Sequence, residues 1–170
     1  GDGLLGHERA YLSWLSGVFK RYPDLVIENC SSGGMRMDYA MLSRYSIQST
    51  SDQEDYVTYA TIACNAPSGV NSEQSAVWSY PLNHGMPEGL SEEQQAAWLD
   101  GQREETIYNM VNTMLMRIHQ SGHLVELEDV RKALVAEMEQ RYELLSKALV
   151  PNIKLYNEKY KDRHLLPTDG

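Results

Sequence analysis

The stretch VIENCSSGGMRMDYAML (residues 26–42) starts as an apolar run and turns abruptly polar and glycine-rich. With Asp24 and Leu25 before it, its first part reads as a short strand, DLVIEN (24–29). The unbroken Leu-Val-Ile predicts burial on both faces, as in a parallel sheet. Gly33 and Gly34 then open a helical stretch with Met37, Met41 and Leu42 on its inner face. Strand, glycine-rich turn and helix make the unit from which α/β folds are built, and the rest of the chain repeats the alternation.

Upstream, residues 6–21 read as a helix, with Tyr11, Trp14, Leu15, Val18 and Phe19 at helical spacing, ended by Pro23. Downstream, YSIQST (45–50) is the next strand, and Ser51 or Asp52 would cap a helix through Tyr56, Tyr59, Ala60 and Ala63. QSAVWSYPL (74–82) reads as a third strand closed by Pro81. Residues 83–100 read as a polar surface loop with one short helix at most. Ile107, Val111, Met114, Leu115 and Ile118 mark an amphipathic helix. SGHLVEL (121–127) is the fourth strand candidate. A long helix follows, with Val130, Leu134, Val135, Met138, Tyr142, Leu145 and Leu149 on one face, until Pro151 stops it. The remainder, 152–170, shows no clear period.

Helices alternating with about four strands require a parallel sheet with right-handed crossovers. Two α/β architectures satisfy this: an open doubly wound sheet, or half of a (β/α)8 TIM barrel. Half a barrel carries two unpaired edges, so it predicts partner strands in the same parent chain or in a homo-oligomer mate.

The 170 residues suit one compact domain, and 42% apolar with 23% charged residues is globular composition. A net charge of -9 argues against a nucleic-acid groove, which needs clustered Lys and Arg. No apolar run approaches the roughly 20 residues that span a bilayer, so no membrane partner is expected. No basic-then-apolar signal segment opens the chain, and its first residue is Gly1 rather than Met, which fits a piece of something longer. Cys30 and Cys64 do not make a disulfide framework, in keeping with a reducing, cytoplasmic compartment of bacterial type.

In either architecture, groups that act on ligands gather just past the carboxyl ends of the strands. Cys30 with Ser31 to Gly34, then Asp52, then the loop after Pro81 hold those positions. The first two strands are consecutive and pair at about 4.8 Å, which brings the Cys30 bend and Asp52 to one pocket. Each residue also has a plainer reading. The glycines serve a tight turn; Cys30 is a buried thiol, with no histidine placed to make it a nucleophile. Asp52 caps a helix, and Arg36 pairs with Asp38. A phosphate cradle lacks its Gly-x-Gly-x-x-Gly or Lys-containing signature. His119 and His123, with Glu126 and Glu128 behind them, have zinc-like spacing, but Ser121 and Gly122 break the helix that would align the rings. No metal and no cofactor are therefore expected.

ENCSSGGMRMD (28–38) followed by QSTSDQED (48–55) resembles the retaining α-galactosidases of glycoside hydrolase family 36, the melibiase-type enzymes. Members carry a Glu-x-Cys-Ser-Ser-Gly-Gly-x-Arg-x-Asp segment and a Thr-Ser-Asp about twenty residues on. The resemblance continues through EQSAVWSYPL, EETIYNMVNTMLMRIHQSGHL and the long helix to about Leu149. It implies that residues 1–150 are the carboxyl-terminal half of a TIM-barrel catalytic domain, strands five to eight, and that 151–170 are a linker or tail to a following domain. It implies that Asp52 is the general acid/base of an O-glycosyl hydrolase of carbohydrate metabolism. Cys30 and Gly33 would line the sugar near its 2-position, with Arg36 and Ser49 as further substrate-binding candidates. The nucleophile, an aspartate in a Lys-x-Asp segment on the fourth strand, lies outside this sequence, so the isolated chain is expected to be inactive.

Retaining hydrolysis needs two carboxyl groups about 5 to 5.5 Å apart across the scissile bond, one attacking and one donating a proton. Gly33 and Gly34 would let a sugar ring approach the backbone closely. Two departures stand out: Ser49 where many members have Trp, and Met35 where a third glycine is frequent. The small Ser49 would leave room for a 2-acetamido group, which makes an α-N-acetylgalactosaminidase the alternative. A non-catalytic carbohydrate-binding or assembly domain is the alternative of another class.

Overall fold

The computed structural model describes residues 2–114 and 116–160. Leu115, the side chain of Leu149 and tail residues 161–170 lie outside the described residues. The order is α1 (Asp2–Arg21), β1 (Glu28–Asn29), α2 (Tyr39–Leu42), β2 (Ile47–Ser49), α3 (Tyr56–Asn65), β3 (Ser75–Ser79), α4 (Glu92–Thr113), β4 (Arg117–Gln120) and α5 (Asp129–Tyr160). Short 3-10 turns occupy Ala66–Ser68 and Leu124–Glu126. Among the described residues no helix is long and apolar enough to cross a membrane.

All neighbouring strands pair parallel, in the order β1-β2-β3-β4. That order separates the two architectures left open by the sequence. A doubly wound sheet reverses its strand order at a switch point, whereas barrel strands follow one another without reversal. Right-handed crossovers in one direction put every helix on the same face. The packing agrees: Val77 of β3 sits in a core with Tyr59 and Ala63 of α3, and Ile118 of β4 packs on Met110 of α4 and Val135 of α5. Burying side chains of this size contributes about 1.5–3 kcal/mol each.

Side chains alternate along a strand, so Trp78 and His119, which are register partners, face the opposite, concave side. There the Nδ1 of His119 on β4 lies 3.4 Å from Oε1 of Glu28 on β1. The first and last strands of the sheet thus touch through their side chains, so the sheet is curled. The molecule is half of a (β/α)8 barrel.

Several elements differ from the sequence reading. Leu25 and Val26 are exposed rather than buried on both faces, because β1 is an edge strand and pairs only at Glu28 and Asn29. Within the stretch 83–100, read as a loop with one short helix at most, residues 92–100 belong to a long helix; Ser91 and Gln94 form a capping box that starts α4 well before Ile107. Helix α4 ends at Thr113, and Ile118 belongs to β4, where RIHQ pairs with β3 over four positions. The predicted strand 121–127 is the loop beyond it, starting with Ser121 N donating to Ser79 O. Pro151 does not stop α5, which continues to Tyr160. Helix α1 begins at Asp2.

Candidate active site

The site begins at Asn29, the buried last residue of β1. Its Nδ2 donates to Gln48 Oε1 of β2 at 2.6 Å and to the Arg36 carbonyl at 2.8 Å. Gln48, fully buried, donates in turn to the Ser49 carbonyl. One amide therefore ties the start of the bend, its far end and the neighbouring strand together.

Within the bend, Ser31 and Gly34 form a bridge, and Ser32 and Gly33 both have left-handed backbone, at φ 43° and 69°. A Cβ on Gly33 would lie 2.7 Å from the Ser51 Cα and 2.8 Å from the Asp52 nitrogen, and one on Gly34 would lie 2.9 Å from the Thr50 carbonyl oxygen. Glycine is required here because the bend rests directly on the backbone that leads out of β2 to Asp52. The thiol-bearing bend and Asp52 consequently share one rim of the sheet. Cys30 is exposed and free, not the buried thiol of the plainer reading, and Cys64 is free as well.

Asp52 follows β2 in a segment without regular secondary structure. Neither Ser51 nor Asp52 caps α3; that work is done by Asp55, whose carboxylate accepts from Thr58 N at 2.7 Å. The hydrogen bonds from Thr58 hold the Asp55 carboxyl below the usual carboxylate range. Ser51 Oγ accepts from Gln53 N instead. The Asp52 side chain stands exposed at the rim, spared for other use.

The ends of β2 and β3 are locked by Tyr59 of α3. Its hydroxyl accepts from Trp78 N at 3.0 Å and pairs with Thr50 Oγ1, which also donates to the Ala76 carbonyl. Burial pushes the Tyr59 phenol up, against the lowering by its Thr50 and Trp78 hydrogen bonds, and Asp52 adds to the rise. Tyr80, just past β3, is pushed up by burial first and then by Tyr59, Glu54, Asp52 and Cys30. Cys30, Asp52 and Tyr80, each beyond a different strand, thus act on one neighbourhood.

Ser49 and Arg36 stand differently. Ser49 is wholly buried, and its Oγ accepts from Trp78 Nε1 at 2.9 Å, so the hydroxyl is engaged within the sheet end. The side chain of Arg36 lines a groove of about 590 Å³ with His7, Glu8 and Tyr11 of α1. Asp38 caps α2 by accepting from Met41 N and makes no ion pair with Arg36. His119 belongs to β4 against Glu28, while His123 lies beyond it near Glu126, so the two rings serve different partners.

Sequence reasoning passed over the support behind the loop after β3. Asn109 Oδ1 accepts from Tyr80 N, Glu105 Oε1 accepts from Leu82 N, and the guanidinium of Arg131, only 1% exposed, donates to the Leu82 carbonyl, Thr106 Oγ1 and Gln102 Oε1. Trp78 and Tyr80 were also missed, although the spacing Trp-Ser-Tyr before Pro81 puts two aromatic rings on one face of a strand end.

A rim of this kind, at the carboxyl ends of consecutive parallel strands, is where barrel proteins hold their ligands. Among solved structures, the chain is similar to the galactosidase domain of an α-galactosidase-sucrose kinase, AgaSK, with 22% identity and a TM-score of 0.58, covering 79% of this chain and 17% of that one. It is also similar to a substituted form of the GH36 α-galactosidase AgaA from Geobacillus stearothermophilus, in complex with stachyose, with 20% identity and a TM-score of 0.55, covering 76% and 16%. The chain thus spans about a sixth of the length of either, and likeness at these identities concerns the fold. No family model and no curated protein matches the sequence.

Proposed function

We propose that this chain is the second half of a glycoside hydrolase barrel whose complete form cleaves terminal α-galactosides with retention of configuration. One observation carries the reading: the glycine bend lies on the Ser51–Asp52 backbone, so the bend that bears Cys30 and the segment that bears Asp52 adjoin at one rim of the parallel sheet. Asp52 is the general acid/base, donating a proton to the leaving oxygen and then activating water. Cys30 and the open backbone at Gly33 line the sugar near its 2-position. Arg36 shares the bend but lines the groove beside α1 instead, and Ser49 contributes only by holding the Trp78 ring. The nucleophile carboxylate comes from a strand on the other half of the barrel, supplied by the parent chain or by an oligomer mate. The α-galactosidase likeness of the two solved domains and the match to the Cys-Ser-Ser-Gly-Gly and Thr-Ser-Asp segments support the substrate class.

Galactosides are favoured over N-acetylgalactosaminides because Ser49, buried beside Trp78, leaves no open space for an acetamido group. Paired assays on the two nitrophenyl glycosides check this, and equal turnover of both would overturn it. The decisive experiment is Asp52→Asn in the completed barrel. Turnover of galactosides with a sugar leaving group should fall about 10²–10⁴-fold, with a smaller loss on activated nitrophenyl galactoside. Near-normal activity on both removes the assignment. Sugar binding without hydrolysis by the completed wild-type barrel would instead support a non-catalytic binding domain.

A further inference from the structure

The best-held aromatic group at the rim has no part in the reaction as proposed so far. Along β3, alternation places Ala76, Trp78 and Tyr80 on the concave face. The Trp78 and Tyr80 rings are stacked, with centroids 6.0 Å apart and planes 24° from parallel. Trp78 is itself fixed from two further sides. Its indole nitrogen donates to Ser49 Oγ, and His119 meets it edge-on at 4.9 Å, backed by Glu28. The backbone of Tyr80 is pinned to Asn109, and that of Leu82, two residues on, to Glu105 and Arg131. Yet Tyr80 is only half-buried. A ring oriented this firmly and left partly open at the carboxyl-terminal rim of a parallel sheet is preorganised for a ligand.

Asp52 identifies which part of the ligand. A proton donor must face the leaving oxygen, so the departing group passes on the side of Asp52. Asp52 follows β2 and Tyr80 follows β3, the neighbouring parallel strand. We infer that Tyr80 is a substrate-contacting residue for the sugar that leaves, its ring stacking on the C–H face of that pyranose and its hydroxyl bonding to a sugar hydroxyl. The inference rests on the hydrolase reading and deepens it.

The test compares, in the completed barrel, α-galactosyl fluoride, which has no leaving sugar, with galactosyl-α-1,6-glucose. Tyr80→Ala should lower kcat/KM for the disaccharide about tenfold more than for the fluoride, mainly through KM. Tyr80→Leu fills the same space without ring or hydroxyl and should show the same selective loss in a protein whose packing is kept. Equal losses on both substrates, or none on either, overturn the inference while the hydrolase reading stands. No turnover of the fluoride by the wild-type barrel overturns both.

Discussion

At Gly33 a single methyl group would press into the Ser51 Cα, on a backbone whose φ of 69° already disfavours a side chain. Gly33→Ala should therefore destabilise the chain by about 1–3 kcal/mol, read as a lower urea midpoint, and push the Asp52 segment outward. Gly17→Ala, in α1 with nothing within 4 Å, should shift the midpoint the other way. The two aspartates three residues apart separate just as clearly. Asp55→Ala removes a helix cap and lowers stability, whereas Asp52→Ala leaves stability nearly unchanged. The carboxyl of Asp55 is depressed below its ordinary 3.8, so its contribution is present above that pH and is lost as pH falls through the lower value. The Asp55→Ala deficit should accordingly shrink in acid. At this scale the placement of Cys30, Gly33 and Asp52 past the ends of two adjoining strands was legible, since apolar runs and glycines mark where strands stop. It was misread for the cap, because Ser51, Asp52 and Asp55 are all capping types and only the fold, which sets the Gly33 bend on the Ser51–Asp52 backbone, leaves the cap to Asp55.

Among the elements, α4 and α5 are joined through buried charge. Arg131 NH2 lies 3.9 Å from Glu105 Oε1, and Glu105 Oε2 lies 3.0 Å from His84 Nε2. Arg131→Met strands the Glu105 carboxylate and should cost about 3–5 kcal/mol in chemical denaturation, more than Glu105→Gln. At the other end of the chain, the Tyr11 hydroxyl of α1 pairs with Tyr45, just ahead of β2. Burial and Tyr11 push the Tyr45 phenol up to about 12 against a lowering by Arg36. A phenol that holds its proton more tightly when folded contributes stability below pH 10 that is lost as pH rises toward 12. Wild type should lose stability across that window more steeply than Tyr45→Phe. Some of these elements were open to reading and some were not. The SEEQ capping box at 91–94 announced α4 and was passed over. The strand β4 was hidden because Ile118 continues the spacing of Ile107, Val111 and Met114, and only pairing with β3 breaks that helical period.

For the molecule as a whole, alternation of helix and strand was legible in the periodicity, whereas the half-barrel order β1-β2-β3-β4 was implied only by the family resemblance. A doubly wound sheet shows the same alternation, and the choice lies in which strands pair. The observed order leaves β1 and β4 as edges and the concave face lined by Ile47, Trp78 and His119. Such edges associate, so the isolated chain should sediment, at rising concentration, above its 19.3 kDa monomer mass, and a separately produced complementary half should suppress that association.

The contact between Glu28 and His119 bears on how two halves would join. A flat ribbon of four strands would have to be bent before a second ribbon could close upon it, and the bending would oppose closure. Here opposite margins already lean on each other across the hollow, so the arc is in place beforehand. Joining then resembles fitting a lid to a bowl, and a cut in the polypeptide between the two halves should be survivable.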